Sequence, residues 1–169
     1  FEIGAGPQVV AVDDQSNYPA DAPRTDLSGY QPNVEAIAAK SPDLVVTTGD
    51  PNALTAQLAK LKIPVYLAPA ATTLDDTYRQ LTELGQLTGH ADEAGDTVAG
   101  MQDEITKLTR DLPKRTAPLT YYYELDTTYY SVTSKTFVGT VFEMAGLENI
   151  ADASDADGKA GGYPQLSQE

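Results

Sequence analysis

Along residues 91–112 apolar side chains recur at Ala94, Val98, Met101, Ile105, Leu108 and Leu112, in steps that alternate four and three. That is the spacing of one unbroken stripe on a single helix. Asp92, Glu93 and Asp96 stand in its opening turns and Lys107 and Arg110 in its closing ones, the order favoured by the helix dipole. Pro113 stops it. At 1.5 Å per residue the helix reaches roughly 33 Å, about the width of a small domain. An α/β-like half precedes it and a shorter one follows, so the helix has the place of a spine joining two lobes. The stripe alone also suits an ordinary core helix.

Before the spine, the patterns alternate between short apolar runs and helical spacing. Residues 1–6 resemble the tail of a helix ending on glycine, and 8–12 predict a strand. Residues 13–27 are polar and carry Pro19 and Pro23, which marks a loop. Asn33 is a plausible cap for a helix that opens with Glu35, turns Val34, Ile37 and Ala38 inward and ends at Pro42. Residues 43–47 form a continuous apolar strand of the buried, parallel type. A helix with Leu54, Leu58 and Leu61 follows, then a strand at 63–67, a loop at 69–73 and a helix over 74–88 closed by Gly89. Such alternation implies a parallel α/β lobe. After the spine, 119–124 and 129–132 are β-prone, and 136–145 predicts a helix with Phe137, Val138, Val141 and Phe142 inward and Gly146 beyond its end. Residues 151–162 are acidic and glycine-rich, the composition of a mobile loop.

Composition narrows the partners. The chain has 169 residues, 41% of them hydrophobic, and a net charge of −14. The acidic balance disfavours nucleic acid and anionic lipid, both of which call for a basic face. Without cysteine there is neither a disulfide nor a thiolate metal site. No apolar run is long enough to span a bilayer, and no signal peptide is recognisable at Phe1. The catalytic and nucleotide motifs fail. Gly4-x-Gly6 lacks the third glycine of a dinucleotide loop, and Asp155-x-Asp157-Gly158 lacks calcium ligands at Ala153 and Pro164. His90, the single histidine, fits a helix junction, so no histidine-based triad can be drawn. No pair of acids stands out, and no catalytic residue, cofactor or metal site is assigned.

The order Gly29-Tyr30-x-x-Asn33-x-Glu35-x-Ile37, then Ser41-Pro42-Asp43-Leu44-Val45-Val46, resembles the first-lobe signature of the iron-complex and vitamin B12 (class III) solute-binding proteins of ABC importers. The resemblance continues through the spine to Tyr122-Tyr123-Glu124-Leu125, Phe137-Val138-Gly139, 145–150 and Tyr163-Pro164-Gln165-Leu166-Ser167-x-Glu169. It implies two parallel-sheet α/β lobes bridged by one long helix, with the family's opening strand missing before Phe1 and the second lobe incomplete. The corresponding boundaries are 1–89 for the N-terminal lobe, 90–113 for the spine and 114–169 for the truncated C-terminal lobe. A stiff single connection of this kind permits only small hinge opening.

The family's members do no chemistry. They carry ferric siderophores, other iron complexes such as haem, or cobalamin in an inter-lobe cleft to a membrane permease driven by an ATPase. The resemblance therefore implies an extracytoplasmic protein, held at the periplasmic or outer cell surface by an N-terminal lipid anchor on the longer precursor. A cytosolic α/β enzyme or small-molecule sensor of similar lobe architecture is the alternative. Glu35 matches the first-lobe glutamate that docks on the permease, and Glu169 its second-lobe counterpart. Loops at the carboxyl ends of strands line clefts in open α/β sheets. They nominate Ser28, Gly29, Tyr30, Gln31, Gly49, Asp50, Pro69 and Ala70 on the first lobe, and Tyr123, Glu124, Tyr129, Tyr130 and Tyr163 on the second. Ten tyrosines against three phenylalanines and no tryptophan offer flat apolar faces with hydroxyl edges, which suits a ring-rich chelate. Near these loops the cations are Arg24 and Lys135. That scarcity weakens a highly anionic siderophore, the first choice of ligand, and keeps its near rival, cobalamin, in contention.

Overall fold

The computed structural model describes residues 1–113 and 115–167. The chain divides into two compact units. Unit 1 comprises 1–71 and 77–99, and unit 2 comprises 72–76 and 100–169.

In unit 1, β1 (Val45–Thr47) pairs in parallel with β2 (Val65–Leu67), Val45 opposite Val65 and Thr47 opposite Leu67. Parallel pairing requires a crossover, and α2 (Leu54–Lys60) supplies it. Leu54 and Leu58 anchor α2, Leu58 with none of its surface exposed. Leu61, expected on the same stripe, is exposed, because the helix ends at Lys60 and the chain turns at Lys62 with φ +60. The short α1 (Val34–Ala38) begins at Asn33, whose Oδ1 accepts the Ala36 amide at 3.0 Å. α3 (Leu74–Thr88) keeps the bounds its sequence pattern predicts. It packs closely on α4 (Ala91–Arg110): a Cβ on Gly85 would lie 2.4 Å from that of Ala94, so only glycine fits there. Ala94 is fully buried in a cluster with Ile3 and Ala5, and Leu81 and Leu84 pack against it. His90 sits at the α3–α4 junction, its Nδ1 2.9 Å from the Thr88 carbonyl.

The start of the chain departs from expectation. Residues 1–6 form turns, not a helix tail, with Ile3 and Ala5 turned into the core. Residues 6–8 form a 3-10 turn where a strand beginning at Gln8 was expected. Pro7 fixes φ there and has no N–H to offer a ladder. Strand pairing in the segment reduces to one bridge, between Val12 and Arg24.

In unit 2, β3 (Leu119–Tyr121) pairs in parallel with β4 (Leu147–Asn149), and α5 (Phe137–Met144) crosses between them. Thr136 caps α5 through its Oγ1, which accepts the Gly139 amide at 3.1 Å. Phe137, Val138 and Phe142 are half-buried. Val141, expected inward, is exposed although it lies on the same side of α5 as Phe137 and Val138. α4 contributes residues to both units. Its stripe is fully buried at Ala94 and emerges by Leu108, which is 68% exposed. Residues 151–162 are ordered by hydrogen bonds, not loose. Residues 150–155 form a 3-10 turn, and the Asp155 carboxylate, 1% exposed, accepts the amides of Ala160 at 2.8 Å and Gly162 at 2.7 Å. Composition cannot show this, because a buried carboxylate with backbone donors looks like any other acid in a sequence.

Candidate functional site

The loops after β1 and β2 leave the same edge of one sheet. The Ala68 amide donates to the Thr47 carbonyl at 2.8 Å, which carries the pairing to the strands' carboxyl ends. Gly49 and Asp50 follow β1, and Pro69 and Ala70 follow β2, so the structure brings these four expected residues to one edge. The Thr47 hydroxyl donates to the Gly49 carbonyl at 2.9 Å. Asp50 Oδ1 accepts the Thr55 amide at 2.7 Å and so closes the entry to α2. Pro69 and Ala70 are exposed, and the Pro69 carbonyl accepts from Gln80 Nε2 at 2.7 Å.

Residues 28–31 lead into α1 and are held by a separate set of contacts. Ser28 Oγ accepts the Gln31 amide at 3.1 Å. A Cβ on Gly29 would fall 2.6 Å from Asp13 Oδ2, so any larger residue would push that carboxylate aside. Asp13 itself accepts the Ser16 amide at 2.8 Å. Tyr30 projects from this lead-in with 84% of its surface exposed. Glu35 is exposed in the first turn of α1.

In unit 2, backbone pairing assembles the tyrosines. Tyr130 bridges Gln165 in antiparallel sense, Ser131 donates to the Pro164 carbonyl at 2.9 Å, and Leu166 donates to the Tyr129 carbonyl at 3.0 Å. This sets Tyr129 and Tyr130 beside the segment of Tyr163. Leu125 donates to the Tyr130 carbonyl at 2.9 Å, which draws in Tyr123 and Glu124. Tyr123 meets Phe142 with centroids 5.8 Å apart, and Tyr121 stacks on the same ring at 4.4 Å. Tyr129 holds a left-handed φ of +65 in a turn closed by Asp126, whose carboxylate accepts from Thr128 and is held below the usual carboxylate range by those bonds. Tyr123, Glu124, Tyr130 and Tyr163 are exposed and Tyr129 is half-buried. Glu169 lies outside the described residues.

Three further residues, unremarked in the sequence pattern, shape these segments. Asp76 Oδ2 accepts both amides and both hydroxyls of Thr72 and Thr73, and these bonds, led by the Thr72 hydroxyl, bring its pKa down to about 2. The spacing Thr73-x-x-Asp76 is a capping signature and was there to be read. Gln80 holds Pro69, and Asn149 links the Tyr121 hydroxyl at 2.9 Å to the Val132 carbonyl at 2.7 Å. Only the fold brings those partners together. A depression of about 290 Å³ bordered by Leu74 and Met144 and another of about 370 Å³ bordered by Phe1 and Pro23 include none of the expected ligand residues. The two cations near these loops are engaged: Arg24 donates to the Asp14 carbonyl at 2.8 Å and Lys135 to the Asp155 carbonyl at 3.4 Å. Among the described residues no three acidic or histidine side chains converge on a metal-sized point, and no helix is long and apolar enough to cross a membrane.

Parallel strand pairs that present fastened loops at their carboxyl ends define an α/β binding scaffold. The chain belongs to the periplasmic binding protein family, whose model matches residues 1–169. It is 34% identical over its whole length to a cobalamin-binding protein of Halobacterium salinarum, of which it covers 46%. It is 32% identical, again over its whole length, to a vitamin B12-binding protein of Pectobacterium atrosepticum, of which it covers 62%. A solved structure from Staphylococcus epidermidis, described as a possible iron-binding (periplasmic solute-binding) protein, superposes with a TM-score of 0.77 at 23% identity, over 99% of this chain and 66% of that one. The likeness to that structure is one of fold. The chain thus spans about half the length of the curated relatives it matches.

Proposed function

We propose that this chain carries ligand-facing loops of an extracytoplasmic solute-binding protein of an ABC importer, and that its ligand is cobalamin. The observation that carries the choice of ligand is identity of 32–34% along the whole chain to two curated cobalamin binders. The chemistry of the expected residues supports it. Pro69, Ala70 and the tyrosines offer apolar and hydroxyl-edged surface, while Arg24 and Lys135 are tied to backbone carbonyls and provide little attraction for an anionic chelate. Gly49, Asp50, Pro69, Ala70 and 28–31 form the ligand-facing set of unit 1. Tyr123, Glu124, Tyr129, Tyr130 and Tyr163 form that of unit 2.

In this reading α4 is the stiff spine of 90–113 between lobes at 1–89 and 114–169, and the ligand is cargo passed on unchanged. The exposed Glu35 and its counterpart Glu169 dock on a membrane permease served by an ATPase. Paired charges of this kind orient an encounter and speed it more than they tighten it. A lipid anchor on the longer precursor keeps the protein at the membrane. Titration of the intact protein with cobalamin, haem and ferric siderophores tests the reading. Cobalamin is expected to bind tighter than about 1 μM. Binding of a siderophore alone would overturn the choice of cargo, and binding of none would overturn the transport role.

A further inference from the structure

The two loops at the carboxyl edge of the β1–β2 sheet are fastened by one device. From α2, Gln57 Nε2 donates to the Asn52 carbonyl at 2.8 Å; from α3, Gln80 Nε2 donates to the Pro69 carbonyl at 2.7 Å. Each glutamine reaches back, past the start of its own helix, to a carbonyl in the loop that feeds that helix. The first loop has reason to be held. Asn52 and Ala53 both take a left-handed φ of 55, a conformation an alanine adopts only when its surroundings impose it. Asp50 Oδ1, on the Thr55 amide, spans the same turn from the other side.

We propose that Gln57 and Gln80 are positioning residues for ligand binding: without touching the ligand, they hold Gly49–Asp50 and Pro69–Ala70 in the shape that meets it. This rests on the functional reading above. A loop already fixed loses less conformational freedom when a bulky, rigid ligand arrives, so the fastening acts on affinity more than on global stability. In each bond the glutamine amide serves as donor to a carbonyl. Methionine matches its length and volume but cannot donate, so the double variant Gln57→Met/Gln80→Met removes the fastening with little change in packing.

The intact protein and this double variant are compared by amide hydrogen exchange, thermal unfolding and cobalamin titration. Exchange is expected to speed up at 49–53 and 69–71 and to stay unchanged in β1, β2 and the bodies of α2 and α3. Cobalamin affinity is expected to fall about tenfold with the melting temperature nearly unmoved. Unchanged loop exchange would overturn the fastening. Faster loop exchange with wild-type affinity would overturn the positioning role while leaving the transport reading intact. Wild-type protein that binds neither cobalamin, haem nor ferric siderophore would sink the transport reading, and the proposal's ligand role with it; the exchange data would still decide whether the loops are fastened.

Discussion

The two units bury different chemistry. In unit 1 the buried side chains are apolar: Ile3, Ala5, Ala22, Leu54, Leu58 and Ala94. In unit 2, Val132 and Ala151 share the interior with Ser131, Thr133, Thr136, Asn149 and Asp155. An apolar interior asks mainly for the right volume, because dispersion and water exclusion have no preferred direction. A polar interior asks for direction as well, since each buried donor or acceptor left without a partner costs its desolvation. Unit 2 largely meets that demand. Asn149 serves Tyr121, Val132 and Ala151, and Asp155 serves Ala160 and Gly162. The consequence is a difference in what each unit tolerates: unit 1 should accept changes of shape that conserve volume, and unit 2 should reject changes of chemistry that conserve shape.

The largest effect tests unit 1. Leu58→Ala opens a cavity beneath α2 and should cost about 3 kcal/mol in urea unfolding of the intact protein, while Leu58→Met should cost under about 1.5 kcal/mol. Next comes the isosteric change in unit 2. Asp155→Asn replaces one acceptor oxygen by an amide that faces a backbone N–H, and should cost about 2 kcal/mol. Faster hydrogen exchange is expected at Ala160, Gly162 and Thr133, with unit 1 untouched. If Asp155→Asn proved as mild as Leu58→Met, the contrast between the units would fail. Smaller still is Tyr121→Phe, which keeps the stack on Phe142 but removes one of the two acceptors of Asn149 Nδ2, a loss of about 1 kcal/mol.

The same contrast explains what was legible in the sequence. α3 and α4 declare themselves through periodicity and end chemistry, and Asn33 and Thr136 through their capping positions. These are local rules and need no tertiary partner. The alternation around β1 and β2 revealed a parallel pair, and with it the edge carrying Gly49, Asp50, Pro69 and Ala70. Where burial depended on a distant partner the pattern misled: Leu61 and Leu108 share stripes with buried residues, and Val141 with half-buried ones, yet all three stand exposed. The order imposed on 151–162 was invisible for a different reason. A glycine-rich acidic run has the composition of a loose loop until one of its acids is placed inside and given two amides. The expected ligand residues, 28–31 and 123–124 among them, were all nominated from the place of loops at the carboxyl ends of strands. The glutamines that fasten those loops carry no sequence signal at all.

The smallest effect at neutral pH separates a polar contact at the surface from those inside. The Asp76 carboxylate accepts four hydrogen bonds from Thr72 and Thr73 but is not buried, and its pKa is lowered to about 2 from 3.8. A carboxyl with a depressed folded-state pKa contributes its full stabilisation above its unfolded value and loses it as pH falls toward the folded one. Acid titration of the melting temperature should therefore show Asp76 contributing a constant amount down to about pH 4, and an amount that declines between there and about pH 2. The comparison is with Asp76→Asn, whose deficit relative to wild type should be constant above that window and shrink within it. Because the carboxylate is solvated, the deficit at neutral pH should be smaller than that of Asp155→Asn, although Asp76 makes more hydrogen bonds. A larger deficit would mean that the number of contacts, and not their burial, governs how strongly a carboxylate holds this fold.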